Sequence, residues 1–251
     1  VRTIDKTLSP QEYRERLTRW SASLAAGSPE ALLEHLAEGS AADGIACYIE
    51  NAVGERYRML IEETRLLALA FEEFDSLVRR YLQEVPRATF DPDSRELARF
   101  LDWLEARIQL TPKQSDFLNY QRAECECLVL AARRRKEFVD FHRRRLSAEQ
   151  SGPANVADRQ TIQVNPIRVW SHLSGIALGE QTEERQDVLF FALPNEIRMW
   201  TTAAPQLRLV RALEGIAPCT FSAWQQISGA ELAELRTLAR QLCEQGIGFL
   251  V

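Results

Sequence analysis

From Asp187 onward the chain alternates apolar runs with turn residues in a way that specifies one element after another. Val188-Leu189-Phe190-Phe191-Ala192-Leu193 is a near-continuous apolar run, which suits a strand buried on both faces. Pro194-Asn195 supplies a turn, after which Ile197, Met199 and Thr201 alternate with Arg198, Trp200 and Thr202 as in a half-exposed strand. Leu207, Val210 and Leu213 then repeat at helical spacing up to Gly215, where a helix stops. Pro218 with Thr220 and Ser222 opens a short second helix through Phe221, Trp224 and Ile227, and Ser228-Gly229 ends it. A third helix carries Leu232, Leu235, Leu238, Ala239 and Leu242 on one face, with Gly246 past its end, and Ile247 to Val251 reads as a closing strand. Upstream, Ile162, Val164, Ile167, Val169 and Leu173 alternate as a strand, and Asn165-Pro166 interrupts it, which predicts an edge or bulged strand.

The first half of the chain has helical periodicity throughout. Ser9-Pro10 is an N-cap with proline at the first helical position, followed by the stripe Tyr13, Leu17, Trp20 and Leu24. Gly27-Ser28-Pro29 repeats the signal for a short helix to about Leu36. Tyr48, Ala52, Tyr57 and Leu60 keep a helical period only if Gly54 sits inside the helix. That costs about 1 kcal/mol relative to alanine and predicts a bend or a close helix contact there. Phe74, Leu77, Val78, Tyr81 and Leu82 form a further stripe ended by Pro86. Asp91-Pro92-Asp93-Ser94 caps a helix with Leu97, Phe100, Leu101 and Leu104 inward, and Thr111-Pro112 opens a long one through Phe117, Tyr120 and Cys125. Ser147 to Asp158, containing Ser151-Gly152-Pro153, reads as a linker. The fold class expected is therefore α+β, with an all-α helical domain over 1–150 followed by a small winged-helix domain over 158–251. Strand, strand, three helices and strand is a winged-helix order, and such a fold binds either DNA or an extended peptide.

Charge narrows that choice. The net charge of −5 over 251 residues gives no general attraction to polyanions. Arg236 and Arg240 on the third helix are accompanied by Glu231, Glu234 and Glu244, which would meet a phosphate backbone at a cost. A nucleic-acid partner is thus disfavoured, and a winged-helix DNA-binding regulator is kept as the alternative. Arg133-Arg134-Arg135-Lys136 and Arg143-Arg144-Arg145, flanking Phe138, Phe141 and His142, make the strongest positive patch. It reads as a phosphate site, a solvated helix face or a docking surface for an acidic partner. Five cysteines without a CxxC pair read as reduced cytosolic thiols, and His35, His142 and His172 have no metal-ligand spacing. There is no nucleophile motif, Gly-rich phosphate loop or Rossmann fingerprint, so no catalytic residue and no metal ligand is assigned to this chain. No apolar run approaches the roughly 18–20 residues of a membrane span, and Val1 to Lys6 has no signal-peptide core, so a cytoplasmic location without a membrane partner is expected.

Two resemblances sharpen the expectation. Residues 187–251 resemble the PqqD-like recognition domains of peptide-modifying enzymes, which capture the leader of a ribosomal precursor peptide as an added strand. Tyr48-Ile49-Glu50-Asn51, Arg58-Met59-Leu60, Val78-Arg79-Arg80-Tyr81-Leu82, Ser94 to Leu101 and Phe117-Leu118 to Arg122-Ala123-Glu124 resemble the N-terminal helical domain of HvfC-type proteins. Together they are similar to the HvfC-, MbnC- and TglI-like partner subunits of ribosomal-peptide natural-product pathways, most of all the TglI-like ones. The resemblance implies a non-catalytic subunit with no cofactor of its own. It would bind a precursor or carrier peptide and present its cysteine to a TIM-barrel multinuclear non-haem iron oxidase in a heterodimer. It also implies a peptide-binding set of Ile197, Arg198, Met199, Trp200 and Thr201 on the strand. Leu235, Arg236, Leu238, Ala239, Arg240 and Leu242 would join from the third helix. The partner-binding set is Tyr48, Asn51, Arg133, Arg134, Phe138 and Phe141. Trp200 stands out as a large aromatic on an alternating strand, read either as core or as a peptide-binding wall.

Overall fold

The computed structural model describes residues 42–85, 95–150 and 160–251, with Ser9, Gln11, Glu12 and Glu15 near the start, and side chains from Asn51 on except Ala52. The stripe from Tyr13 to Leu24, the helix to Leu36, Pro86, the Asp91–Ser94 cap and the linker beyond Gln150 lie outside the described residues. The chain divides into two compact units, Val1–Gln114 and Ser115–Val251. Both helices and sheets are present, as the α+β expectation requires. The boundary differs from the expected one because residues 115–150 cover the sheets of the second unit instead of joining the first.

In the first unit, α1 (Ala42–Glu63), α2 (Arg65–Ala68), α3 (Phe74–Glu84) and α4 (Glu96–Arg107) pack around an aromatic centre. Phe100 meets Phe74 and Tyr81 edge-on at ring-centroid distances of 5.8 and 5.2 Å. Such pairs contribute beyond the apolar area they bury. A buried ion pair, Arg56 to Glu96 at 2.6 Å, is completed by the Tyr81 hydroxyl, which donates to Glu96 at 2.7 Å, and by the Val85 carbonyl, which accepts from Arg56 at 2.8 Å. These bonds hold the Glu96 carboxyl below its usual range even though burial pushes the other way. Gly54 lies inside one unbroken helix, and a Cβ there would meet nothing within 4 Å. Among the described residues the expected close contact is absent, because Val53, Gly54 and Glu55 lie on an exposed stretch of the helix. Trp103 is buried as well, its indole N–H donating to Glu84 at 2.9 Å.

The second unit opens with α5 (Pro112–Arg133), whose first residues close the first unit, and α6 (Arg135–Gln150). Two small sheets follow. β2 (Arg168–Ser174), β3 (Arg185–Ala192) and β4 (Ile197–Thr201) form one in that order, all antiparallel. β1 (Thr161–Val164) lies between β5 (Cys219–Thr220) and β6 (Gly248–Leu250) in the other. The apolar run Val188–Ala192 is buried on both faces, as its composition demands. Val188, Phe190 and Ala192 pack with Tyr120, Ala123 and Cys127 of α5, while Leu189 and Phe191 point into the core of the C-terminal helices.

Those helices are α7 (Ala204–Glu214), α8 (Phe221–Ser228) and α9 (Leu232–Gln245). The Thr220 hydroxyl caps α8 by accepting from the Ala223 N–H, and Gly246 ends α9 at φ +80°, a left-handed conformation that favours glycine. Trp224 is fully buried, its indole N–H donating to the Leu209 carbonyl at 2.9 Å. β2 is latched to α7 through Glu214, which accepts from Arg168 at 2.7 Å and from the Trp170 indole at 2.9 Å.

The interrupted strand resolves into two strands in different sheets, where the sequence predicted one bulged or edge strand. Asn165 makes the switch. Fully buried, it accepts from the Ile167 N–H through Oδ1 at 2.9 Å and donates through Nδ2 to the Ala192 carbonyl at 2.8 Å. Its own N–H donates to the Ile247 carbonyl at 2.8 Å. The side chain thus satisfies backbone groups that the broken ladder leaves bare.

α6 reaches both sheets. Phe141 meets Phe249 edge-on at 5.1 Å, and the His142 ring, between Phe138 and Phe141, lies with Nε2 3.3 Å from the Ala192 carbonyl. Burial first, and the Arg145 charge second, push the His142 pKa down. An unfolded histidine of pKa about 6.5 then takes up a proton that the folded one refuses, so stability declines as pH falls through about 6.5. Urea unfolding at several pH values should show this decline in the parent and lose it in His142→Phe, where the Ala192 carbonyl keeps Asn165 as a donor. An equal slope in both proteins would exclude His142 as its source.

Candidate functional site

β4 is an edge of its sheet. Which of its backbone groups face outward follows from the turn. The Leu193 N–H donates to the Glu196 carbonyl at 2.8 Å, making 193 and 196 a hydrogen-bonded pair. Alternation along an antiparallel ladder then directs Arg198 and Trp200 towards β3, and turns the N–H and carbonyl groups of Ile197, Met199 and Thr201 away from it. The other side of β3 agrees, because the Ala192 N–H faces Ile167 and bonds to its carbonyl at 3.2 Å. Among the described residues the sheet thus presents a short unpaired ladder at the strand that the sequence singled out.

Beside this edge lies a cleft of about 360 Å³ lined by Trp200, Thr201, Thr202, Ala203, Gln206, Gln241, Glu244 and Gln245. The strand places Trp200 on the α9 side of the sheet, opposite Leu189, where its ring is half-buried against the helical core. Core packing and cleft wall are therefore both true of it. The Thr202 hydroxyl bonds to Gln206. On the side of α9 away from Gln241, burial and the nearby charges of Glu244 and Glu149 push the Cys243 thiol up to about 11, so it is uncharged at neutral pH.

The expected lining of α9 needs correction. Leu235, Leu238, Ala239 and Leu242 are at most 1% exposed and belong to the core, so their side chains are closed to a ligand. At about 100° per residue, Gln241 and Gln245 flank this stripe on one side and reach the cleft, while Arg236 flanks the other side. Arg240 is exposed on the outer face and does not line the cleft either. Arg198 is exposed and paired with Glu196 at 2.5 Å. Sequence reasoning missed Thr202, Gln206, Gln241, Glu244 and Gln245. The available signal was the polar i, i+4 pair Gln241/Gln245 next to an apolar stripe.

The basic segment is also rearranged. Arg133, Arg134, Arg135, Lys136, Arg143 and Arg144 are exposed, whereas Arg145 turns to Glu149 at 2.7 Å. Phe138 and Phe141 point into the unit, because the face of α6 that carries them covers the sheets. The apolar side chains left outside are Val139 and Leu146, 43% and 49% exposed. Asn51 is exposed on α1, and the Tyr48 side chain lies outside the described residues. Among the described residues no group of three or more His, Cys, Asp or Glu is placed to hold a metal ion, and no helix is long and apolar enough to cross a membrane. In comparisons with known proteins, the chain matches no family model and no curated protein.

Proposed function

We propose that this chain is a non-catalytic accessory subunit that binds a ribosomal precursor or carrier peptide as a strand added to β4. It would present the peptide's cysteine to a TIM-barrel multinuclear iron oxidase with which it forms a heterodimer. The observation that carries the reading is the outward ladder at Ile197, Met199 and Thr201 beside a polar cleft. Strand addition takes its affinity from such main-chain groups and its selectivity from alternate side-chain pockets. A PqqD-like winged helix for the C-terminal part is supported by the order β3, β4, α7, β5, α8, α9, β6, in which the two-residue β5 is the one addition to the expected elements. The exposed Glu231 at the start of α9, and Glu234 and Glu244 along it, speak against the rival reading as a duplex-DNA regulator.

In this reading the iron belongs to the partner. The docking surface on the second unit is the exposed face of α6 and the α5–α6 junction, where Arg133, Arg134, Arg135, Lys136, Arg143 and Val139 are all exposed. Arginine is enriched at interfaces, and its planar fork suits carboxylates. Co-expression with a TIM-barrel multinuclear iron oxidase of the same source, followed by sedimentation and iron analysis, tests the reading. A one-to-one complex that carries iron is expected, and Arg134→Glu/Arg143→Glu should break it. A chain that stays a monomer beside the soluble oxidase would overturn it.

A further inference from the structure

The chemistry of the cleft beside β4 says more than that a strand docks there. Its walls offer amide and hydroxyl groups from Gln206, Gln241, Gln245 and Thr202, one carboxylate, Glu244, and one aromatic ring, Trp200. Among the described residues, no lysine or arginine lines it. Its volume of about 360 Å³ sits at the lower end of the roughly 300–1,000 Å³ usual for ligand pockets, room for one or two side chains and not for a folded partner.

An acidic side chain entering this cleft would face Glu244 without a compensating cation, and like charges brought together oppose binding. A bulky apolar one would strip water from several amides without replacing their hydrogen bonds. The apolar stripe of α9 offers no alternative, since Leu235, Leu238, Ala239 and Leu242 are shut in the core. A long basic side chain satisfies every wall. Its aliphatic stem lies along the Trp200 ring, its charge meets Glu244, and its N–H donors meet the glutamine carbonyls.

We propose that the cleft reads a lysine or arginine of the bound peptide, with Glu244 as counter-charge and Trp200 as the wall for its stem. This rests on the reading of β4 as a peptide-docking edge, and it makes Glu244 the residue that sets which peptides bind. The test pans a phage-displayed library of short random peptides on the full chain, and on its Glu244→Lys and Met199→Pro variants. Glu244 is exposed and Met199 half-exposed, so both variants should fold. The parent should enrich peptides with Lys or Arg at one fixed position. Synthetic versions of these should bind Glu244→Lys roughly tenfold or more weakly by fluorescence polarisation. The Glu244→Lys variant should itself enrich Asp or Glu at the same position, and Met199→Pro should bind neither set. Binders that need the Met199 edge but share no basic residue, or that ignore Glu244→Lys, would overturn the proposal and leave the docking edge standing. Binders indifferent to Met199→Pro, or the absence of any binder, would overturn both.

Discussion

Met199→Pro should remove binding of an extended precursor peptide, by roughly a hundredfold or more, while the protein stays folded. The expectation depends on ladder parity. The Met199 N–H points away from β3, so a proline there costs no bond within the sheet. An incoming strand, by contrast, loses a donor at the middle of a five-residue edge and meets the pyrrolidine ring where its carbonyl should sit. The neighbouring Arg198→Pro makes the opposite prediction, because the Arg198 N–H bonds inward to β3. That variant should be destabilised whether or not a peptide is present. Circular dichroism with fluorescence polarisation of a labelled precursor peptide separates the two. A folded Met199→Pro protein that binds as the parent does would remove β4 from the function.

The second large effect expected is on stability. Asn165→Ala should cost about 2–4 kcal/mol, read from urea unfolding of the full chain. The substitution removes the acceptor of the Ile167 N–H and a donor to the Ala192 carbonyl, both in the fully buried crossing between the two sheets. The carbonyl retains His142, but the Ile167 N–H is left buried and unpaired, which is the costlier half. Alanine is also too short to hold β1 and β2 in separate sheets, so the local switch itself is weakened. A loss under about 0.5 kcal/mol would mean that water or a backbone shift replaces these bonds, and that the crossing is not fixed by this side chain.

The rival readings of Trp200 show how far a pattern reaches. Alternation along residues 197–202 marked the strand and its two faces, and the register of its pairing with β3 is set by the structure. Whether the ring is core or wall depended on how close α9 comes, a distance no local pattern encodes. The same limit explains the charges. Arg236 and Arg240 were legible as cations on the third helix, but their position around the helix relative to the stripe turns them away from the cleft.

What the sequence determined by itself is therefore local. The strands and helices from Asp187 to Val251 apart from the short β5, the caps at Thr220 and Gly246, and the helices α1, α3, α4 and α5 follow from periodicity and turn chemistry, which operate over a few neighbouring residues. Tertiary structure decided the rest. Asn165 sends one interrupted apolar pattern into two sheets, because its buried amide can replace two ladder groups at once. α5 and α6 join the second unit because both faces of β3 are apolar and one of them needs a cover, which also turns Phe138 and Phe141 inward. Periodicity names the face of an element that must be buried; only the assembled chain determines what buries it.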